Sequence, residues 1–207
     1  HHVTRLPYEI GRLAQDLAGG LMVTLPSEKD LRHPEAGAIM RSDNGGASWT
    51  GIRSGLPARK SQINVIRAVT PDTVVFASSC GLRRTDDGGV SVKRLPWGSD
   101  DVNCPAPIAS LSFPTATIGY LLLTNGDIMQ TQDGGDSWRR QTPAPGSQTL
   151  GGAAAVADIA FTSATAGVIS VGNQIFYSSD SGSSWTPVKT VDGSLVHFEF
   201  TSAAQGY

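Results

Sequence analysis

The sequence predicts an all-β protein, a β-propeller whose blades are small four-stranded antiparallel sheets, and three observations support this prediction. An octapeptide of the form Ser/Thr-x-Asp-x-Gly-x-Ser/Thr-Trp is complete at 131–138 and 178–185, and two altered copies occupy 42–49 and 85–92. The copies recur at a period of about 45 residues, which is the length of one propeller blade. Twenty-four glycines and twelve prolines, spread along the chain, indicate many short turns between strands.

Each octapeptide has the composition of a tight hairpin turn. An Asp in a turn accepts hydrogen bonds from backbone N–H groups further along, and a Gly two places later supplies a positive φ. The final Trp begins the outgoing strand, where a large ring can be buried between neighbouring sheets. We therefore interpret the octapeptides as structural, with their central residues and rings at Asn44, Asp87, Asp133, Asp180, Trp49, Trp138 and Trp185.

The altered copies keep most of this chemistry. Asn44 replaces the central Asp but retains a carbonyl acceptor, and Val92 replaces the Trp with a smaller apolar side chain. Calcium is the alternative to a purely structural turn. Each copy offers only one or two carboxylates and lacks the run of alternating acidic ligands that calcium loops use, so we predict no metal and no cofactor.

Composition excludes two classes of partner. Charged residues make up 16% of the chain and the net charge is −2, so no basic excess is present to hold a nucleic acid backbone. No apolar run approaches the length of a membrane span. No secretory signal opens the chain, and any such signal is expected to have been removed.

Cys80 and Cys104 are the only cysteines, so one disulfide is possible. Both are predicted to lie in loops on the same face of the propeller. A bridge would favour an oxidising, extracytoplasmic location, and two ordinary thiols are the alternative. A zinc site requires more ligands than these cysteines and four scattered histidines provide.

The first blade is predicted over about 8–53, with strands near 10–14, 20–25, 37–42 and 48–53. The spacing of Ile10, Leu13 and Leu17 also suits a short amphipathic helix, but we prefer the strand because it matches the next repeat. A polar insertion at 26–36 separates the second and third strands. Insertions in single repeats collect on one face, which is often the binding face.

Three further blades are predicted at about 62–96, 108–142 and 156–188, and another begins at 195–207. The start of that last blade is indicated because 200–207 repeats the pattern of 113–120 and 161–168. An unfinished blade would leave an unpaired innermost strand. Two explanations stay open: the chain is a fragment of a larger propeller, which we favour, or its two ends pair to close a ring.

The repeats of this sequence resemble those of a known group of proteins. The complete octapeptides, with their Phe-x-x-x-x-x-Gly-Tyr/Val openings, resemble the Asp-box (BNR) repeat proteins, which form β-propellers. The pattern of Phe113, Gly119-Tyr120, Gly126, Thr131 and 133–135 is most similar to the photosystem II stability/assembly factor-like family of bacterial proteins. The resemblance extends from Ala36 onward. Asp boxes also occur in sialidases, xyloglucanases, sortilin-type receptors and propeller lectins. The resemblance therefore implies a fold and not one activity.

The resemblance also implies which loops bind ligands. In such propellers the boxes lie on one face, and the loops between the second and third strands and between blades gather on the other, where ligands usually bind. This second face is expected to hold the insertion and the linkers. Our candidate ligand contacts there are Arg32, His33, Arg59, Lys60 and Trp97, and each is otherwise a solvated loop residue.

From these observations we predict a non-enzymatic, extracytoplasmic propeller that acts as an interaction scaffold for a protein or glycan partner. The alternative is an Asp-box glycoside hydrolase, which needs two carboxylates across a cleft, with Asp100 and Asp101 as the candidate catalytic residues. The Arg-Ile-Pro signature of sialidases is absent before the first box. His33 and His197 stand alone, so no Ser-His-Asp arrangement is visible.

Overall fold

The computed structural model describes residues 13–15, 21–24, 39–45, 47–52, 63–78, 80–97, 104–146, 156–193, 198, 200–202 and 205–206. The chain divides into two compact units, His1–Cys104 and Pro105–Tyr207. Every element described is a strand, a turn or an irregular segment. The prediction of an all-β fold built from four-stranded antiparallel sheets is confirmed.

The first unit contains two of these sheets, each with its strands paired in chain order. Blade 1 consists of β1 (Leu13–Gln15), β2 (Leu21–Thr24), β3 (Ile39–Ser42) and β4 (Thr50–Ile52). Blade 2 consists of β5 (Val65–Ala68), β6 (Val74–Ala77), β7 (Leu82–Thr85) and β8 (Lys93–Leu95).

The core of the first unit joins its two blades. Ile39 of blade 1 packs with Ile66, Val74 and Phe76 of blade 2, and Val92 packs against this cluster from the end of the blade 2 box. Because β-branched and aromatic side chains fit a pleated surface buried on both faces, β6 is buried at every position.

The second unit repeats the arrangement. Blade 3 consists of β9 (Ile108–Ser112), β10 (Gly119–Leu123), β11 (Ile128–Thr131) and β12 (Arg139–Arg140). Blade 4 consists of β13 (Val156–Phe161), β14 (Gly167–Val171), β15 (Gln174–Ser178) and β16 (Thr186–Thr190). A separate pair, β17 (Phe200–Ser202) and β18 (Gln205–Gly206), follows blade 4.

Most predicted strands agree with the structure to within a few residues. The second, third and fourth strands of blade 1 lie within the predicted 20–25, 37–42 and 48–53. The first strand is Leu13–Gln15 where 10–14 was expected, and the rest of the stretch considered for a helix lies outside the described residues. The last strand of blade 3 covers only Arg139–Arg140, and the ring of Trp138, one residue earlier, packs edge to face on Phe113.

The Phe-x-x-x-x-x-Gly openings have a steric cause. The ring of Phe113 lies over Gly119, and a Cβ built on that glycine would stand 2.4 Å from a ring carbon. Phe161 covers Gly167 in the same way, with the nearest ring carbon at 2.6 Å. The glycine is therefore required because the ring of the same blade occupies the space of a side chain.

We expect Gly119→Ala to destabilise blade 3 by about 1–3 kcal/mol, since overpacking a tight contact forces the ring or the strand to move. Urea unfolding of the variant measures the loss. Gly172→Ala is the control, because no described residue lies within 4 Å of the Cβ that would be added there. Since Gly172 has a φ of 60°, this variant tests backbone strain without a steric clash. Equal losses in the two variants would contradict the steric explanation.

A buried carboxylate joins neighbouring strands of the second unit. Asp158 in β13 is fully buried and accepts hydrogen bonds from the Ser110 hydroxyl of β9, from the backbone N–H of Ile159 at 2.9 Å and from that of Phe198 at 2.8 Å. The Asp158 backbone N–H donates to the Ser170 hydroxyl of β14 at 3.1 Å. These donors satisfy a group that would otherwise be costly to bury.

Candidate functional site

The Asp boxes form the same hydrogen-bonded turn in the second unit. In the blade 3 box, Asp133 Oδ1 accepts the Thr131 hydroxyl at 2.7 Å and the Ser137 backbone N–H at 2.9 Å, while Oδ2 accepts the Ser137 hydroxyl at 2.5 Å. The Thr131 hydroxyl in turn accepts the Gly135 N–H at 2.9 Å. Both carboxylate oxygens therefore bind donors of their own hairpin.

The blade 4 box repeats this network between β15 and β16. Asp180 accepts the Ser178 hydroxyl at 2.8 Å, and the Ser184 backbone N–H and hydroxyl at 2.9 and 2.6 Å. The Asp133 and Asp180 turns thus lie at equivalent bends, between the third and fourth strands of successive blades. A glycine with positive φ closes each turn, Gly135 at 102° and Gly182 at 81°.

The altered boxes keep the network as well. Asp87 accepts the Thr85 hydroxyl at 2.9 Å and the Ser91 hydroxyl at 2.6 Å. Asn44 Oδ1 accepts the Ser48 backbone N–H at 2.8 Å and the Ser42 hydroxyl at 3.0 Å, while Asn44 Nδ2 donates to the Ser48 hydroxyl at 2.7 Å.

The box aromatics pack within their own blades. Trp138 meets Phe113 edge to face at 6.2 Å between ring centroids, and Trp185 meets Phe161 in the same geometry at 6.1 Å. Phe161 also stacks on Tyr120 of the preceding blade at 3.6 Å. The boxes therefore link the turn to the core, and their carboxylates are engaged in the turn.

Hydrogen bonds within the boxes lower the pKa values of their aspartates. The Ser91 hydroxyl, followed by the Ser91 backbone N–H, holds the pKa of Asp87 at about 2, below its usual 3.8. The Ser184 hydroxyl does the same for Asp180, whose pKa is also about 2. The Ser137 hydroxyl holds the pKa of Asp133 well below its usual value. Donors aimed at a carboxylate favour its charged form.

These shifts predict acid sensitivity. Because the folded pKa of Asp180 lies below the unfolded value, its stabilising effect is complete above about pH 4 and is lost as the pH falls from about 4 through 2. We expect Asp180→Asn to flatten the dependence of the free energy of unfolding on pH in that window, measured by urea unfolding at several pH values. An unchanged slope would show that the turn does not favour the charged carboxylate.

The sequence-predicted contact residues fall mostly outside the described residues. This holds for Arg32, His33, Arg59 and Lys60, and for the candidate acids Asp100 and Asp101. Trp97 is described, and only 6% of it is exposed. Its contact with a ligand stays a prediction, and its indole N–H has no hydrogen-bond partner among the described residues.

The disulfide considered from the sequence is present. Cys80 and Cys104 are bonded, with their Cα atoms 5.3 Å apart. The bond joins the turn between β6 and β7 to the segment that follows blade 2. Cys80 is buried, so the bridge forms part of the first unit's interior.

Sequence reasoning missed a basic feature, which we call the blade 2 basic strip: Arg83, Arg84, Lys93 and Arg94. Strand pairing places Arg83 opposite Arg94, and Arg84 opposite Lys93. Asp86 contacts two of the four cations, with its oxygens 2.7 Å from Arg84 Nε and 3.8 Å from Lys93 Nζ. The two basic dipeptides flanking the box at 85–92 were the available signal.

The described residues show no group of three or more His, Cys, Asp or Glu side chains placed to hold a metal ion. In the part of the chain that the structure describes, no helix has the length and apolarity that crossing a membrane requires.

Two different families match separate parts of the chain. Residues 89–190 match the family described as photosynthesis system II assembly factor YCF48. Residues 1–50 match a different family, 4-hydroxyphenylacetate 3-hydroxylase C terminal. In line with this, 31 residues are 68% identical to 4-hydroxybutyryl-CoA dehydratase/vinylacetyl-CoA-Delta-isomerase from Clostridium aminobutyricum. That match covers 15% of this chain and 6% of the enzyme's length.

Solved structures place the fold among β-propellers. YCF48 from Cyanidioschyzon merolae is 16% identical, with 96% of this chain and 79% of that chain covered and a TM-score of 0.52. A GH74 enzyme from Niastella koreensis is 13% identical, with 86% and 38% covered and the same TM-score of 0.52. At these identities the likeness concerns the fold, and it confirms the predicted Asp-box β-propeller architecture.

Proposed function

We propose that this chain, an Asp-box β-propeller whose residues 89–190 match the photosystem II assembly factor family, is a non-enzymatic scaffold that binds a protein partner through an acidic segment. The name of that family describes factors that assemble other proteins. The resemblance stated from the sequence is confirmed by this match, and the partner class is our proposal.

The blade 2 basic strip is the observation that carries the proposal. Lys93 and Arg94 are both exposed on the edge strand β8, whereas Arg83 and Arg84 on the paired strand β7 are buried. Successive side chains of a strand point to opposite faces of the sheet, so Lys93 and Arg94 present positive charge on both sides of this edge. An acidic segment that binds along the edge can meet both charges, and complementary charge increases the association rate and the specificity.

The hydrogen bonds and the lowered pKa values of the box carboxylates argue against a catalytic role for these groups. Asp87, Asp133 and Asp180 each bind hydroxyl and N–H donors of their own turn, and their lowered pKa values leave them poor general acids near neutral pH. The glycoside hydrolase alternative rests on Asp100 and Asp101, outside the described residues. Likeness to a GH74 fold does not transfer an activity.

The disulfide supports an extracytoplasmic location as part of this proposal. Disulfides persist in oxidising compartments and are rare where thiols are kept reduced. The Cys80–Cys104 bridge is buried at its Cys80 end, which is typical of a structural bond formed during folding.

We also propose that the propeller domain spans residues 1–207. The match of residues 1–50 to a second family competes with this boundary. Amide exchange on the full chain distinguishes the two: protection of β1 and β2 together with β3 supports one domain, and rapid exchange confined to the residues before β3 places the boundary there.

A charge-reversal experiment tests the scaffold proposal. Lys93→Glu and Arg94→Glu alter exposed members of the strip, and Lys189→Glu on the exposed β16 is the matched control. We expect the wild-type chain to bind fluorescent Glu-rich peptides, and the strip variants to lose about tenfold or more in affinity while the control does not.

Three outcomes would overturn the proposal. Equal losses in the strip variants and the control would show nonspecific electrostatics. Binding of neutral glycans, unaffected by Lys93→Glu, would move the function to carbohydrate recognition. Turnover of chromogenic glycosides that disappears on replacing Asp100 or Asp101 would establish the hydrolase.

A further inference from the structure

The blade 1 box contains a chemically labile pair. Asn44 is followed directly by Gly45, and both are exposed. In an Asn-Gly pair the glycine N–H can attack the asparagine side-chain carbonyl, because no Cβ shields the nitrogen. Gly45 has a φ of 68°, and among the described residues nothing lies within 4 Å of the position that its Cβ would occupy, so no side chain crowds this exposed glycine.

The box donors also assist that attack. Asn44 Oδ1 accepts the Ser48 N–H at 2.8 Å and the Ser42 hydroxyl at 3.0 Å. Attack on the carbonyl develops negative charge on this oxygen, and two preorganised donors stabilise such charge. Asn44 Nδ2 lies 2.7 Å from the Ser48 hydroxyl, which is placed to pass a proton to departing ammonia.

An aspartate would fit position 44 better than the asparagine does. In the three other boxes a carboxylate occupies the position of Asn44 and accepts the equivalent serine hydroxyl at 2.5–2.6 Å. At Asn44 the same hydroxyl must act as an acceptor. Conversion to Asp lets the Ser48 hydroxyl donate, as its counterparts do.

We propose that Asn44 is a deamidation site, at which the blade 1 box converts itself into a complete Asp box. The Gly45 nitrogen bonds to Asn44 Cγ, the Cγ–Nδ2 bond breaks and ammonia leaves, giving a succinimide. Water then cleaves the bond between Cγ and the Gly45 nitrogen and yields Asp. Cleavage at the Asn44 main-chain carbonyl would yield isoaspartate, whose extra backbone methylene does not fit the turn.

A second Asn-Gly pair in the chain serves as an internal control. Asn125 Oδ1 accepts the Asp127 N–H at 3.0 Å, and Asn125 Nδ2 lies 3.1 Å from an Asp127 carboxylate oxygen, which offers no proton to ammonia. The Gly126 N–H donates to the Leu123 carbonyl at 2.9 Å, and Gly126 is buried. The nucleophile is thus engaged at this pair and accessible at Gly45.

Incubation of the full chain at mildly alkaline pH tests the proposal. Peptide mapping by mass spectrometry follows the gain of mass at each pair, and an isoaspartyl methyltransferase assay separates isoaspartate from Asp. We expect the Asn44 peptide to convert several-fold faster than the Asn125 peptide, with Asp as the main product. In strong denaturant the two rates should become similar and isoaspartate should dominate at both.

Variants separate chemical assistance from mere exposure. Ser48→Ala removes the hydroxyl near Nδ2, and Ser42→Ala removes an oxyanion donor; both should slow conversion of Asn44 and leave Asn125 unchanged. Far-ultraviolet circular dichroism checks that the variants fold. Faster conversion at Asn125, mainly isoaspartate at residue 44 in the folded chain, or unchanged Asn44 rates in both serine variants would each overturn the proposal.

Discussion

Phe161→Ala is expected to lower the free energy of unfolding by about 3–5 kcal/mol, the range for deleting a buried aromatic ring. Phe161 is 6% exposed, stacks on Tyr120 at 3.6 Å and meets Trp185 edge to face. It also fills the space above Gly167. One substitution therefore removes the ring stack between blades 3 and 4 and the ring that supports Trp185 of the blade 4 box.

Urea unfolding followed by tryptophan fluorescence measures this effect, since Trp185 reports on the neighbouring box. Val188→Ala on the exposed edge strand β16 is the matched control, because Val188 is 57% exposed and surface substitutions stay within about 0.5 kcal/mol. A loss at Phe161 no larger than that at Val188 would show that the stacked pair does not hold the blades together.

Removing the disulfide is expected to have the next largest effect. The bridge between Cys80 and Cys104 spans a sequence separation of 24 residues, and closing a loop of this size stabilises a protein by about 3 kcal/mol. The Cys80→Ser/Cys104→Ser double variant should lose about this amount, concentrated in the first unit. Amide exchange of β6 and β7, which flank Cys80, measures the loss locally.

Reductant provides the control for this prediction. The wild-type chain treated with a thiol should approach the stability of the double variant, and the double variant should not respond to the thiol. If β6 and β7 exchange equally fast with and without the bridge, the disulfide does not stabilise the first unit.

The repeats allowed the architecture to be predicted because its determinants are local. Asp133, the turn glycines and Trp138 are close in sequence, and the turn that they form depends on little outside the octapeptide. The blade 2 box shows this independence, since the Asp87 network survives the replacement of Trp by Val92. Strands that follow such turns were located to within a few residues.

The features that sequence reasoning missed depend on tertiary pairing. Arg83 and Arg94 become neighbours through the register of β7 with β8, and the sequence shows only that two basic dipeptides flank the blade 2 box. Trp97 lies outside any strand, as its position suggested, but it is buried, and the burial of a loop residue does not show in the sequence pattern. The match of residues 1–50 to another family likewise could not be seen from the repeat pattern.

The hydrogen bond between Ser110 and Asp158 requires different residues at the same position of blades 3 and 4. Counting back from Phe113 and Phe161, Ser110 and Asp158 hold the same position in successive repeats, and one donates to the other. An array engineered by copying the blade 4 sequence would place an aspartate in both positions. Two carboxyl groups would then face each other in a site shielded from solvent, where Asp158 now accepts a hydroxyl donor, so a protein of identical repeats would have to change this position before its blades could stack.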